Sequence, residues 1–305
     1  MWFKNARIYD VDFKAIKEIF SDPEALEKSI ENNARFKSCK QTSEVASIGF
    51  VPLFGNDTPY FFSNGSSFFF KLVEENKLLP ASVIRTELNE QVAAKEAELK
   101  RGMSKQEKET LKTAVTSLLL SKAFTTRREM LMWCNTELNL CAVAVSSAKR
   151  AEKALAMMRQ ALGSFPATLP EAKCVVEDRM TNWVSKNQLP EKFELGTDTT
   201  LKSLEEDGGI IRASKEDLTS TEIAAHFDAG KVITDLQLIY DNSLLFVLSN
   251  DLSLKRMKPL DQYLEKNLPE KTDDAIADQQ SHLILQGELL SEIISRIERI
   301  FDCEH

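Results

Sequence analysis

The sequence is poor in the side chains that most often bind metals or act as nucleophiles. Its 305 residues include three histidines and five cysteines. The cysteines are scattered and form no Cys-x-x-Cys pair, so their spacing predicts neither a zinc ribbon nor a disulfide framework. No His-Glu-x-x-His motif or nucleophile signature is present. We therefore expect no metal site, and unpaired thiols in a reducing compartment.

Glycine-rich nucleotide loops and long apolar runs are also missing. The ten glycines form neither Gly-x-x-x-x-Gly-Lys nor Gly-x-Gly-x-x-Gly, so the sequence predicts no ATP, dinucleotide or other cofactor. Apolar runs such as residues 244–248 fall far short of the roughly 18 residues that a membrane span requires. Residues 1–7 lack the apolar core of a signal peptide. Together these absences predict a cytoplasmic protein.

The overall charge is acidic but unevenly distributed. The chain has 39 Lys and Arg against 47 Asp and Glu, a formal net charge of −8. Taken over the whole chain, this acidic net charge argues against nucleic-acid binding, because DNA-binding domains are usually basic. However, residues 85–128 have ten basic and six acidic side chains, whereas residues 179–305 have 14 basic and 24 acidic ones. A basic segment within an acidic chain leaves DNA binding open.

Apolar spacing divides the chain into three predicted parts of an α+β protein. Residues 1–78 and 125–178 read as strands and helices of one centre domain, with hairpin turns near residues 64–65 and 135–139. Residues 179–305 read as an acidic α+β base domain that ends in one or two helices over residues 273–301. Between them, residues 79–124 are predicted to form a projecting helical hairpin, which we call the tip.

The tip has the signals of two helices and a turn. Gly102 is predicted to end the first helix, and Ser104 with Glu107 to begin the second as a capping box. The second helix carries a predicted apolar stripe of Leu111, Ala114, Val115, Leu118 and Leu119. Because two helices alone bury little surface, Leu119 and Phe124 need a covering partner, which is either the rest of the chain or a second subunit.

Basic residues concentrate in the tip and just after it. They are Lys100, Arg101, Lys105, Lys108, Lys112, Lys122, Arg127 and Arg128. Such a set, without Asn or Gln in a fixed frame for reading bases, favours contact with the phosphate backbone. The alternative is a solvated helix whose cations pair with Glu96, Glu98, Glu107 and Glu109.

A second basic cluster lies in the acidic base domain. It consists of Lys255, Arg256 and Lys258, with Arg212 and Lys231 as weaker members. If residues 255–258 form a strand, Arg256 and Lys258 lie on one face. The cluster is then a local positive surface, and the alternative is a basic surface strand without a role.

An acidic run offers a different class of function. Glu205, Glu206 and Asp207 precede a Gly-Gly turn. A metal-dependent nuclease would need carboxylates that converge from separate elements, and the alternative is a solvated loop. Three hypotheses remain at this point: a DNA-binding protein, a nuclease and a protein-only scaffold.

Several motifs resemble the recombination-associated RdgC family of proteobacteria. They include Met1-Trp2-Phe3-Lys4-Asn5, Gly49-Phe50-Val51-Pro52, Leu79-Pro80-Ala81-Ser82, Lys122-Ala123-Phe124, Ser147-Ala148-Lys149-Arg150, Glu206-Asp207-Gly208-Gly209 and Ser253-Leu254-Lys255-Arg256. The resemblance extends from residue 1 to about residue 300 without large gaps.

This resemblance implies a horseshoe-shaped subunit and a homodimer closed into a ring. It further implies binding of double-stranded DNA with little sequence preference, no enzymatic activity, a place at the nucleoid, and restraint of RecA-promoted strand exchange through shared DNA. By position, Phe124 is similar to an aromatic at the tip interface of the family, and Arg101, Lys105, Lys108 and Lys112 fall in its basic tip helices.

Overall fold

The protein is a mixed α+β structure with two antiparallel sheets, which confirms the predicted class. The computed structural model describes residues 2–39, 44–205 and 207–303. The first sheet contains β1 (Arg7–Val11), β2 (Ala46–Val51), β3 (Phe61–Asn64), β4 (Ser67–Lys77), β5 (Thr125–Asn135), β6 (Leu140–Val143) and β7 (Ala167–Thr168). The second contains β8 (Phe193–Ser203), β9 (Ile210–Ala213), β10 (Lys231–Tyr240), β11 (Leu244–Ser249) and β12 (Leu254–Pro259).

Nine α-helices surround these sheets in the described ranges. They are α1 (Lys17–Ser21), α2 (Pro23–Ala34), α3 (Ala81–Leu99), α4 (Lys105–Lys122), α5 (Ala148–Leu162), α6 (Val176–Ser185), α7 (Thr221–Asp228), α8 (Asp261–Asn267) and α9 (Ala275–Phe301). A short 3₁₀ turn, Phe13–Ile16, precedes α1. None of the helices in the described part of the chain is both long and apolar enough to cross a bilayer.

Two hairpins predicted from the sequence, β3–β4 and β5–β6, are present in the first sheet. That sheet runs β2-β4-β5-β6-β1-β7, with β3 also paired to β4, and the second runs β12-β11-β10-β8-β9. The turn between β3 and β4 contains Gly65 at φ +58°, a backbone conformation that residues with a Cβ rarely adopt. A three-residue loop joins β10 to β11, since Tyr240 pairs with Leu244, and its first two residues, Asp241 and Asn242, also have positive φ.

The first sheet is buried on both faces. Phe70 and Met132 point to one face and pack with α2 and α5, whereas Phe69 and Trp133 point to the other face, where the second sheet and α9 lie. Helix α9 comes close at Gly287, where a Cβ would lie 3.0 Å from Phe69 and 3.3 Å from Trp133. The core around α9 therefore contains residues from both sheets.

The N-terminal residues tie the two sheets together. Ala6 and Leu254 exchange backbone hydrogen bonds of 2.7 and 2.9 Å, and the backbone N–H of Phe3 donates to Gln286 Oε1 at 3.0 Å. Two further bonds join Met257 to Lys4 and Trp2 to His282. The proposed domain boundary at residue 178 lies inside α6, and the three-part division stays a prediction.

The tip is a helical hairpin, as predicted, with two corrections. Ser104 and Glu107 form the expected capping box at the start of α4. The first helix, however, ends at Lys100, which takes the left-handed conformation at φ +49°, and Gly102 does not. The predicted stripe is also wrong in part, since Leu118 is exposed.

The residues of α4 that are buried are Leu111, Val115 and Leu120, and Ala114 is exposed. No side chain of α3 is buried. The physical reason is that, in the described ranges, α3 is the element against which α4 packs most extensively, and a single helix covers a narrow seam rather than a wide face.

The helices of the second half begin at identifiable residues. Helix α6 spans Val176–Ser185. Ser220 caps α7, and its side chain accepts from the backbone N–H of Ile223. The one or two helices predicted over residues 273–301 are one helix, α9, which is capped by Asp274.

Candidate nucleic-acid interface

Three of the six basic residues predicted as contacts in the tip are paired with acids. Arg101 donates two hydrogen bonds to the Glu107 carboxylate, at 2.7 and 3.1 Å, and these bonds lower the pKa of Glu107 to about 2. Lys108 lies 3.1 Å from Glu96. Lys112 lies 3.9 Å from Glu109. These pairs match the solvated-helix alternative.

The other tip cations are exposed and have no such partner. Lys100, Lys105 and Lys122 are exposed, and none forms an ion pair with an acid in the described ranges. Glu98, which the alternative assigned as a partner, pairs with no cation there either. The tip therefore combines a set of locked charges with a set that is available to an external anion.

Arg127 is held in a fixed position at the root of the tip. It lies directly opposite Glu75 of β4. The buried Glu75 carboxylate accepts from Arg127 Nε at 2.6 Å, Ser38 Oγ at 2.7 Å and the Cys39 backbone N–H at 2.7 Å. Burial alone would raise the pKa of Glu75, but these bonds lower it to about 2. The guanidinium lies 5.4 Å from the Phe36 ring, and the side chain is 59% exposed.

A close backbone crossing brings this segment over Glu75. A Cβ at Gly49 of β2 would lie 2.5 Å from the backbone N and Cα of Phe36. Only glycine leaves room for this approach, which places Ser38 and Cys39 above the Glu75 carboxylate.

Arg128 faces the opposite side of the sheet. It lies opposite Glu74, because successive side chains of a strand alternate between faces. Glu74 is buried and is contacted by Arg150 Nε at 3.3 Å and by Lys153 Nζ, both from α5. The two arginines that are adjacent in sequence are therefore separated by the sheet.

Sequence reasoning missed Arg150 and Lys153. The available signal was the pair Glu74-Glu75 directly after Leu72-Val73 in a strand that also contains three consecutive phenylalanines. A carboxylate in such a place needs a buried cation or several hydrogen bonds. This requirement predicts a partner but does not say which element supplies it.

The basic cluster of β12 is partly neutralised. Lys255 lies 3.0 Å from Asp235, and Arg256 lies 2.9 Å from Asp198. Arg256 has a φ of +50° at a β-bulge. Arg256 and Lys258 are both exposed, with Met257 buried between them.

The other base-domain candidates lie elsewhere on the same sheet. Arg212 is exposed on β9 and Lys231 is half-buried at the start of β10. Since β9 and β12 are opposite edges of the second sheet, Arg212 and Lys258 are not neighbours. Neither of them, nor Lys231, pairs with an acid within the described segments.

Phe124 is strongly exposed at the root of the tip. Its side chain is 84% exposed, and Leu78, whose backbone N–H donates to the Phe124 carbonyl at 2.7 Å, is also an exposed apolar residue. Val45, which is exposed as well, lies on the β2 side of β4, where its carbonyl accepts from the Lys77 backbone N–H at 2.9 Å. Leu119 is half-buried. An exposed aromatic among aliphatic side chains is typical of a protein interface.

Two residues of the acidic run, Glu205 and Asp207, lie in the described part of the chain. Glu205 and Asp207 are exposed at a turn that leads into β9, and Glu206 lies outside the described residues. In the described ranges, no three His, Cys, Asp or Glu side chains come together in a group that could hold a metal ion.

The chain is similar over nearly its full length to known proteins. Residues 1–304 match the family described as "Putative exonuclease, RdgC". The proteins named "Recombination-associated protein RdgC" from Shewanella loihica and Salmonella typhimurium are 34% and 35% identical over 300 and 301 residues. In both cases the match covers 98% of this chain and 97% of the relative. The Shewanella halifaxensis protein of the same name is 32% identical over 303 residues.

Proposed function

The chain belongs to the RdgC family, and we propose that it is a recombination-associated protein that binds double-stranded DNA without sequence preference. We further propose that two copies close into a ring around the DNA. By occupying DNA, the ring modulates RecA-dependent recombination and replication-fork repair at the nucleoid, in the cytoplasm. RecA is then affected indirectly, through the shared DNA.

The observation that carries this proposal is the set of exposed cations without an acidic partner in a chain of net charge −8. Among the predicted contacts these are Lys100, Lys105 and Lys122 on the tip and Arg212 and Lys258 on the base. Acids repel a polyanion, so DNA contact is favoured where exposed cations lack an acidic partner. Flexible lysines contact phosphates but read no base pattern, which supports binding without sequence preference.

The exposed apolar patch of Phe124 and Leu78 supports the dimer. A second copy that covered this patch would bury a side chain that is now 84% exposed. A phenylalanine gains roughly 1.5–3 kcal/mol from full burial. We propose that Phe124, with Leu119 beside it, forms the tip contact between the two subunits.

Salt dependence tests the DNA proposal. If the protein makes about six phosphate contacts, raising the salt concentration from 50 to 200 mM should weaken its binding to a duplex roughly a thousandfold. The measurement is a fluorescence-anisotropy titration with a labelled mixed-sequence duplex across that range. Affinity that is flat with salt, or that differs strongly between duplex sequences, would contradict the proposal.

The rival function is a metal-dependent nuclease that uses Glu205, Glu206 or Asp207, and the word exonuclease in the matched family description favours testing it. Plasmid and linear duplex are incubated with the protein and Mg²⁺ or Mn²⁺. Retarded but intact DNA supports the binding protein, whereas nicked or shortened DNA supports the nuclease. A protein-only scaffold would leave the DNA unretarded even at low salt.

A further inference from the structure

The start of α5 gathers basic side chains that the tip and base sets do not include. Arg128 of β5 lies opposite Glu74 of β4, on the face of the sheet against which α5 packs. Arg150 and Lys153, in the first two turns of α5, contact the same Glu74 carboxylate. Lys149 is exposed beside them at the start of the helix. We call these four cations the α5 surface.

The α5 surface has more positive charge than its acids compensate. Among the described residues, Glu74 is the acid with which Arg150 and Lys153 pair, and neither Arg128 nor Lys149 forms an ion pair. Glu74 is 6% exposed. Burial alone would raise its pKa, but the bonds and charges of Lys153 and Arg150 outweigh burial and lower the pKa. One carboxylate that stays ionised thus faces four cations.

The nearest other acids point elsewhere. Glu152 of α5 interacts with Tyr9, whose pKa is raised by burial and then by Glu152. Glu129 follows Arg128 on β5, and strand alternation places it on the opposite face. Neither acid pairs with a cation of the α5 surface within the described segments. Glu74 is therefore the counterion that the salt bridges of the described residues provide for this surface.

The end of helix α5 also favours an anion here. Helix α5 is 15 residues long, and its N-cap residue Ser147 makes no side-chain capping hydrogen bond, so no side chain occupies the N-terminal end. That end of a helix attracts negative charge through its first amides and the helix dipole. Nη2 of Arg150 is buried and has no acceptor among the described residues, so Glu74 does not use all the donors of that guanidinium.

The α5 surface lies close to the root of the tip. Lys77 of β4 and Thr125 of β5 are directly opposite each other where the tip begins. Arg128 follows three residues later, about 10 Å along the strand. About three phosphates of one DNA strand cover that axial distance. A backbone that contacts Lys122 can therefore continue to Arg128 and Lys149.

From this geometry we infer that Arg128 and Lys149 bind phosphates of duplex DNA beside the tip, and that Arg150 and Lys153 hold the site positive by fixing Glu74. This inference rests on the proposed DNA-binding function and extends it to a face of the centre domain. Arg128 and Lys149 are the contacts, because they are exposed and unpaired. Arg150 and Lys153 are positioning residues.

The test is the double variant Arg128→Gln and Lys149→Gln, made in the full chain. Both side chains are exposed, so the fold is expected to persist, and a thermal melt checks this. Arg150 and Lys153 are left intact, because removing them would strand a buried carboxylate. The matched control is Lys186→Gln with Lys266→Gln, which removes two exposed cations that also form no ion pair in the described part of the chain.

The readout is the slope of log affinity against log salt for a mixed-sequence duplex. Loss of two phosphate contacts lowers the magnitude of that slope by about 1.8, with a roughly tenfold weaker affinity near 100 mM salt. The control variant keeps the wild-type slope. If the test variant also keeps the wild-type slope, and the affinity of wild type depends steeply on salt, then the α5 surface does not bind DNA and the proposed function stands.

Two other outcomes also decide the matter. Equal losses in the test and control variants would mean that net charge alone matters, which overturns the inference. If wild-type protein does not bind duplex DNA at low salt, the proposed function fails, and the α5 surface fails with it.

Discussion

Two consecutive glutamates in one strand show how single residues organise this protein. Glu74 and Glu75 are both buried, and strand alternation sends them to opposite faces. Glu74 binds Arg150 and Lys153 of α5, whereas Glu75 binds Arg127, Ser38 and Cys39. The sequence predicted cations at the root of the tip but grouped Arg127 and Arg128 in one basic set. Because side chains of β5 alternate between the two faces of the sheet, these arginines lie on opposite faces. The sequence could not show this before β5 was known to be a strand at these residues.

Stability of the protein should depend on pH through Glu75. Its pKa is lowered from 4.5 to about 2 in the fold, so the stabilisation is present above about 4.5 and is lost as the pH falls toward 2. Glu75→Gln should cost about 2 kcal/mol at neutral pH, the scale of a hydrogen bond to a charged group. It should also flatten the loss of stability between pH 4.5 and 2.

Urea melts at several pH values measure this effect. The control is Glu129→Gln, an exposed acid on β5, which should leave both the neutral stability and the pH profile near wild type. If Glu75→Gln has the same acid profile as wild type, Glu75 does not supply the pH dependence.

At the scale of elements, the tip was predictable in outline but not in packing. The capping box at Ser104 and the proline before α3 define both helices in the sequence, because they satisfy the first amides or fix φ. The buried face of α4 was not predictable, because predicting burial from an apolar stripe presumes that a hydrophobic core covers the helix along its whole length. In this tip α4 packs most extensively against α3, and Leu118 remains exposed while Leu120 is buried.

Deletion of the tip should leave the rest of the protein folded. Lys77 and Thr125 are directly opposed across β4 and β5, so an Asn-Gly turn in place of residues 78–124 would close a two-residue hairpin. Only Leu111, Val115 and Leu120 of the tip are buried apolar residues. The shortened protein should therefore melt cooperatively, within about 5 °C of the full chain.

DNA binding should respond differently from stability in that protein. Deletion removes Lys100, Lys105 and Lys122, so the slope of log affinity against log salt should fall in magnitude by about 2.7. Calorimetry and anisotropy titrations provide the two measurements. An unchanged salt slope in a folded, shortened protein would exclude the tip from DNA contact.

At the scale of the whole molecule, the two sheets share a core through α9 and are linked by residues 2–7. The α+β class and the strand hairpins follow from local patterns, because turn residues and alternation are short-range signals. The link between Arg7 and Asp251 does not, since it joins positions 244 residues apart. The ring and the horseshoe come from the family resemblance and remain proposals.

Assembly of that ring should depend on Phe124. Phe124→Ser removes the most exposed large apolar side chain in the described part of the chain and should lower the dimer fraction in analytical ultracentrifugation, because the tip contact loses its aromatic anchor. DNA affinity should fall as well, since an open ring retains DNA less well. Val175→Ser, at another exposed apolar residue, is the control. A dimer fraction and a DNA affinity that both equal wild type would reject the role given to Phe124.

The contact of the N-terminal residues with the last third of the chain also bears on synthesis. Gln286, the partner of the Phe3 backbone N–H, is made 283 residues after Phe3. At about 5–20 residues per second, Phe3 waits roughly 15–60 s for that partner. Such long sequence separation predicts slow folding. Trp2 and Phe3 are large apolar side chains that wait without their partners, so chaperone binding during translation should raise the yield of native protein.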